Sequence, residues 1–152
     1  MRPAAKDRVA RAVTAVHRAV YRLSGGRVGG RLAGMPVLLL TTRGRTTGRP
    51  RTVPLTWFPD GDSAVLVASY GGDDRHPGWY RNLCADPRVE VTQGRRRRAL
   101  TARTATPEER DRLWPSIVAT YPGYARYQDR TSRHIPLVVV SPTSGRPPAR
   151  GG

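Results

Sequence analysis

The chain has 152 residues, enough for one domain with a real core and too few for two comfortable ones. Its net charge of +16 would ordinarily point to nucleic acid or an anionic membrane surface, but nearly all of it is arginine, with Lys6 the only lysine. It is spread along the sequence rather than gathered into a binding stripe, which argues against a nucleic-acid binder. Cys84 is the only cysteine and His17, His76 and His134 have no ligand spacing; this excludes an internal disulfide, argues against a metal centre and fits a reducing cytoplasm.

At the N-terminus the basic start lacks the continuous apolar core of a signal peptide. No run reaches the roughly 20 apolar residues of a membrane span. Val9, Val13, Val16, Val20 and Leu23 recur at alternating steps of four and three, predicting an amphipathic helix with Arg8, Arg11, Arg18 and Arg22 elsewhere on its surface. Such a stripe is expected to dock on its own domain or on a partner. A basic amphipathic helix also suits an anionic bilayer, so peripheral membrane contact stands as the alternative. Ser24-Gly25-Gly26 and Gly29-Gly30 predict a flexible joint, dividing an N-terminal segment of residues 1–34 from a main domain of residues 35–141.

From Met35 the pattern is predominantly β. Residues 36–42 read as a strand buried on both faces and residues 51–58 as its partner, with Pro54 forcing an edge or a bulge. Pro59-Asp60-Gly61-Asp62 is a turn, and residues 63–69 form a third strand closing a hairpin with the second. After the loop Gly71-Gly72-Asp73-Asp74, Pro77 leads a short helix through Trp79, Tyr80, Asn82 and Leu83. Residues 88–92 and 98–103 make a hairpin about Gly94. Thr106-Pro107-Glu108-Glu109 then opens a helix with a threonine cap, a proline at its first position and acids at the positive end of the dipole. That helix presents Leu113, Trp114, Ile117 and Val118. The last strand is residues 135–140, and the Pro/Gly/Arg tail of residues 142–152 is expected to be disordered. The fold class is therefore mainly β with α: about six antiparallel strands in a small barrel, with peripheral helices.

One stretch carries more chemistry than the rest. Residues 41–51 pack four arginines, four threonines and two glycines between two apolar, strand-like runs. Glycines let the backbone approach a ligand, threonines add short donors, and arginines grip phosphate or carboxylate oxygens in bidentate fashion. A solvated basic hairpin loop is the alternative, but the polar residues of the following strand are placed to line a pocket.

Five segments in register carry a resemblance: Gly44-Arg45-Thr46-Thr47-Gly48-Arg49-Pro50-Arg51 with Pro54-Leu55; Val67-Ala68-Ser69-Tyr70-Gly71-Gly72; His76-Pro77-Gly78-Trp79-Tyr80-Arg81-Asn82-Leu83; Ala85-Asp86-Pro87; and Trp114-Pro115 with Tyr121-Pro122-Gly123-Tyr124. Together they resemble the deazaflavin (F420)-dependent nitroreductase family, best known from mycobacteria and other actinobacteria. The resemblance implies an FMN-binding split-barrel-like fold, coenzyme F420, and reduction of quinones or nitroaromatic compounds. It places Arg45, Thr46, Thr47 and Arg51 on the coenzyme's phosphate and acidic tail, the chemistry that the loop composition selects independently. Thr52, Val53 and Pro54, the strand end Val67, Ala68, Ser69 and Tyr70, and Gly78, Trp79 and Asn82 fall around the ring and its linker. For Trp79 a core aromatic is the competing reading.

Tyr121, Tyr124 and Tyr127 recur every three residues. In the family this face closes over the substrate side of the ring, with Tyr124 touching both substrate and coenzyme; ordinary packing beside the barrel is the alternative. Ser69 and Tyr124 are the candidate catalytic residues for charge developing on the acceptor oxygen. Thr56, Tyr121, Tyr124 and Tyr127 are the candidate substrate contacts. Thr46 stands where the family often has lysine or arginine, Thr56 where it has an aromatic, and Tyr70 where its best-known nitroreductase has lysine. The expected function is hydride transfer from reduced F420 to a quinone or another electrophile such as a nitroaromatic. The alternatives are an F420 carrier without turnover and an FMN-dependent split-barrel oxidoreductase. The expected location is the cytoplasm, at the inner face of the membrane if the first helix binds there.

Overall fold

A computed structural model describes residues 3–24, 26, 31, 32 and 34–143. The glycines at 25, 29 and 30 and nearly all of the expected tail lie outside the described residues. In chain order the elements are α1 (Pro3–Ser24), β1 (Arg31–Leu32), β2 (Met35–Arg43), β3 (Pro50–Thr56), β4 (Phe58–Asp60), β5 (Ser63–Val67), a 3-10 turn (Tyr70–Gly72), α2 (Gly78–Ala85), β6 (Arg88–Gln93), β7 (Arg96–Thr104), α3 (Pro107–Thr120), α4 (Gly123–Asp129) and β8 (Leu137–Ser141).

The strands form one antiparallel sheet in the order β1-β2-β6-β7-β8-β5-β4, with β3 on the other side of β2. β3 and β4 therefore stand at opposite ends of the path, yet only Trp57 separates them in the chain. A flat sheet cannot satisfy both facts, so it curls until its ends meet, giving a split barrel. Trp57 marks the changeover, its N–H donating to the Pro36 carbonyl at 3.2 Å. This corrects one expectation. The run 51–58 is not a single strand: Pro50–Thr56 pairs with β2, and only Phe58–Asp60 closes the hairpin with β5. Pro54 is tolerated because β3 is an edge strand, paired to β2 alone.

β2 is apolar without alternation because it is covered on both faces and paired on both edges; Leu38, Leu39 and Leu40 are fully buried. β5 and β8 divide their side chains by the strand's two-residue period. Ala64, Leu66, Val138 and Val140 fill the barrel with Leu38, Leu40, Val91 and Leu100. Val65, Val67 and Leu137 instead meet Leu113 and Ile117 of α3 and Tyr124 of α4. Each such buried aliphatic contributes about 1.5–3 kcal/mol, so the double-faced strands hold helices and barrel in one body. α3 begins as its sequence specifies. Thr106 Oγ1 accepts from the Glu109 N–H, Glu109 reaches back to the Thr106 N–H, and Pro107 follows the cap.

Candidate active site

The loop between β2 and β3 is a tight, internally bonded arch. The Gly44 N–H donates to the Arg49 carbonyl at 2.8 Å and the Gly48 N–H to the Gly44 carbonyl at 2.7 Å. A Cβ on Gly44 would sit 2.8 Å from Thr47 Oγ1 and 3.1 Å from the Arg49 carbonyl, and Gly48 has φ +71°, so both positions require glycine. Asn82 of α2, 5% exposed, braces the arch. Its Oδ1 accepts from the Arg45 N–H at 3.2 Å and from Arg45 Nη1 at 2.8 Å, while its Nδ2 donates to Thr42 Oγ1 at 3.1 Å. Arg45, Thr46, Thr47 and Arg51 are exposed on this arch, and neither arginine is ion-paired with a described carboxylate.

The arch forms one end of a cleft of about 1200 Å³. Thr52, Val53 and Pro54 of β3 form one wall, and Val67, Ser69 and Tyr70 form another. Gly78, Trp79 and Asn82, at the start of α2, line its end. All the coenzyme positions predicted from sequence therefore meet here, save Ala68 and Tyr124. Ala68 is wholly buried, its N–H bonded to the Pro136 carbonyl at 3.0 Å. Trp79 satisfies both of its readings: it lines the cleft and also packs in the barrel core at 9% exposure. Thr52 Oγ1 pairs with Thr41 Oγ1 at 2.8 Å. Tyr70 adopts φ +45°, in the left-handed region that a tyrosine occupies only under constraint.

Helix α1 roofs the cleft, but by the face opposite to the one expected. The sequence led us to expect a docked valine stripe; instead Val9, Val13, Val16 and Val20 are exposed at 55, 62, 66 and 37%. The polar side faces inward, where Lys6, Asp7, Arg11, Thr14 and Arg18 line the cleft. Leu23, the last member of the stripe, lies outside the residues whose side chains are described. The anchors are polar and aromatic. Asp7 accepts from Tyr70 Oη and from Arg75 Nη1 at 3.2 Å, Lys6 Nζ meets Asp73 at 2.9 Å, and Arg18 Nη1 donates to the Thr52 carbonyl at 3.3 Å. At the other end Tyr21, 1% exposed, packs on Val37 and Leu39, and its Oη accepts from the Gly94 N–H at 2.6 Å. Hydrogen bonds from Tyr70 and Arg75 hold the Asp7 carboxyl below its ordinary pKa, and the same bond to Asp7 raises that of the Tyr70 phenol.

The structure gathers the tyrosines elsewhere. Tyr124 is 6% exposed, and its Oη lies 2.7 Å from Thr56 Oγ1. Its ring meets Tyr121 edge-on at 5.1 Å and Phe58 at 6.1 Å. Tyr127 completes the group, 6.0 Å from Tyr124. Neither these three tyrosines nor Thr56 lines the cleft. The reason is where α4 sits: its Tyr127 carbonyl lies so close to Gly72 that a Cβ there would approach to 2.7 Å. α4 thus backs the Tyr70–Gly72 turn from behind. Burial raises the Tyr124 pKa, so its phenol stays neutral.

Sequence reasoning overlooked Arg133, which nothing in local pattern marks. Its guanidinium donates to the carbonyls of Asp73 at 2.8 Å, Ser69 at 2.8 Å and Ala68 at 3.2 Å, and reaches His76 Nδ1 at 3.2 Å. It fixes the backbone of the cleft's Ser69 wall. His76, which the sequence marked only as part of a motif, also lines the cleft.

A split barrel whose side cleft ends in a braced, unpaired arginine arch defines a coenzyme-binding oxidoreductase of the split-barrel class. The chain belongs to the F420H(2)-dependent quinone reductase family, which matches residues 13–142. It is 47% identical over 130 residues to the F420H(2)-dependent quinone reductase Rv1261c of Mycobacterium tuberculosis (strain ATCC 25618 / H37Rv), covering 83% of this chain and 87% of the relative. A solved structure of F420-H2 dependent reductase (FDR-A) is similar at 42% identity and a TM-score of 0.64, covering 70% of this chain and 94% of that one. Another, described as a domain-swapped dimer, is similar at 39% identity and a TM-score of 0.66, covering 83% of this chain and 96% of that one.

Proposed function

We propose that this protein binds reduced F420 in the cleft beneath α1 and reduces a quinone there. The carrying observation is the convergence of the arginine arch, the β3 wall and the Ser69–Trp79 side on one cavity. The donor set fits the coenzyme: exposed arginines and threonines with no described carboxylate partner suit a phosphate and glutamyl carboxylates. The apolar Val53, Pro54, Val67 and Trp79 suit a flat ring. F420 supplies a hydride when bound. The protein's part falls to its own residues. Arg45, Arg51, Thr46 and Thr47 hold the anionic handle, Asn82 holds the arch, and Thr52, Val53 and Pro54 with Val67, Ser69, Tyr70 and Gly78 shape the ring's seat. Ser69 offers a hydroxyl on that wall. Tyr124, Tyr121, Tyr127 and Thr56 support the cleft from behind.

Titration with F420 and with FMN, followed by single-turnover absorbance with a short-chain naphthoquinone, tests this reading. Tight F420 binding with rapid reoxidation by the quinone is expected. Preference for FMN would move the protein to the flavin branch of the fold, and a bound coenzyme that stays reduced would make it a carrier.

The outward valine stripe favours a second feature, peripheral contact of α1 with an anionic bilayer from the cytoplasmic side. No described helix is long and apolar enough to cross a membrane. The helix that exposes the stripe also exposes Arg8, a cation outside the cleft lining, and an apolar stripe with such a cation suits a helix lying in the headgroup plane. Flotation with phosphatidylglycerol vesicles should carry the protein, and Val13→Asp with Val16→Asp should release it. Equal flotation of both proteins would dismiss the contact.

A further inference from the structure

We infer that His76 is a catalytic residue, a neutral imidazole whose Nε2–H hydrogen-bonds the acceptor oxygen, with Arg133 as the positioning residue that fixes its tautomer. The role rests on the functional reading above. The geometry comes first. Arg133 Nη1 lies 3.2 Å from His76 Nδ1, and a guanidinium carries donors only. Nδ1 must therefore be the acceptor, which leaves the ring's proton on Nε2. An imidazolium would set two N–H groups against one another, so the same contact disfavours the charged form. The ring is steadied by Tyr80, whose centroid is 4.9 Å away. The other Arg133 nitrogens hold the Ser69 and Asp73 carbonyls at 2.8 Å. One guanidinium thus sets His76 beside Ser69 on the same cleft wall.

The charged and titratable surroundings agree. From the 131–136 connection His76 faces Arg133, from α2 it faces Arg81 and Tyr80, and its own loop carries Asp73, Asp74 and Arg75. Asp73 is taken up by Lys6 and Arg75, and Asp74 by Thr131 at 2.9 Å, so neither carboxylate is free to charge the ring. His76 is an exposed residue, and the partial desolvation it undergoes in the cleft first, then Arg133 and Arg81, hold the imidazole below its ordinary pKa. Among the described residues His76 Nε2 has no protein hydrogen-bond partner, so its N–H is available to a ligand in the cleft.

The chemistry needs such a donor. A quinone that accepts a hydride carries the added electron pair as negative charge on a ring oxygen and completes the hydroquinone by taking one proton from water; the coenzyme is the two-electron reductant. A neutral imidazole stabilises that oxygen by hydrogen bonding while keeping its own proton. Tyr124, the sequence's candidate for the task, has its hydroxyl engaged with Thr56.

Long-range proton–nitrogen NMR of the intact protein, with the His76 signals assigned by their loss in His76→Gln, reads the tautomer without coenzyme. Protonated Nε2, bare Nδ1 and a midpoint below about 6.5 are expected, and in Arg133→Met the midpoint should rise toward that ordinary value. In turnover, His76→Ala should lower kcat by roughly 100-fold with F420 affinity within twofold, and His76→Gln, which keeps a donor, should recover part of the loss. A proton on Nδ1, or a kcat for His76→Ala within about threefold of the parent, would overturn the assignment. Failure of the parent protein to bind F420 would instead sink the functional reading, and is measured before any variant is made.

Discussion

Two groups of arginines in this chain differ in what they touch. Around the outside of the barrel they meet carboxylates: Arg112 holds Asp60 at 3.0 Å, Arg103 holds Glu109 at 2.6 Å, and Arg88 holds Asp86 at 3.1 Å. On the arch between β2 and β3 they meet none among the described residues, although the chain has so few acids that cation repulsion there is hardly relieved by neighbours. Surface pairs of the first kind are worth little, because solvent screens them and two side chains must be ordered. Guanidinium groups without a carboxylate on a glycine-tightened loop repel one another, and among the described residues only Arg45 returns something to the fold, through its bond to Asn82 at 2.8 Å. The difference between the populations is what the proposed function requires of the arch and not of the rest of the surface.

The strongest way to break that contrast is to remove an arch arginine. Arg51→Ala should weaken F420 binding by about 1.5–3 kcal/mol while leaving thermal stability unchanged, because its loss deprives an anion of a charge-assisted partner and the fold of nothing. Arg112→Ala should leave affinity untouched and lower thermal stability only slightly, since the pair is solvent-screened. Calorimetric titration of both variants reads the comparison directly, and an Arg51→Ala protein that binds like its parent would take that side chain out of the site.

A second contrast separates the cleft from the tyrosine cluster behind it. Tyr124→Phe removes the bond to the half-buried Thr56 hydroxyl, so a stability loss of about 0.5–1.5 kcal/mol is expected in urea unfolding, with F420 affinity unchanged. A selective fall in coenzyme affinity would show that the tyrosine reaches the ligand after closure of the site.

These contrasts also explain which features could be read from the amino-acid order. The Thr106 cap with Pro107 behind it, the buried β2 run and the edge or bulge that Pro54 imposes on β3 are local or two-residue regularities, and propensity and proline chemistry specify them before any tertiary contact forms. The arch was legible because Gly44, Gly48 and the threonines encode its geometry within one short stretch of chain. The orientation of α1 was not. Periodicity measures which face is apolar, whereas here Tyr21 and the Asp7, Lys6 and Arg18 contacts decide which face turns inward. The Arg133 bracket was equally hidden, since it joins residues 57 to 65 positions apart. The break at Trp57 needs the closure of the whole sheet, which no window of sequence contains.

The smallest effect tests the structural population through pH. The Arg103 bond and the Thr106 N–H hold the Glu109 carboxyl at about 2, below its ordinary value. A carboxyl depressed in the folded state stabilises the protein fully above its unfolded pKa of about 4.3 and loses that contribution as pH falls toward 2. Because Glu109 is partly exposed, solvent screening limits the effect to about 0.5–1 kcal/mol. Glu109→Gln should therefore be slightly less stable than the parent at pH 7, and the two should converge near pH 2. Melting curves across that range check the sign: parallel curves would mean that the pair with Arg103 contributes nothing and that α3 is held by packing alone.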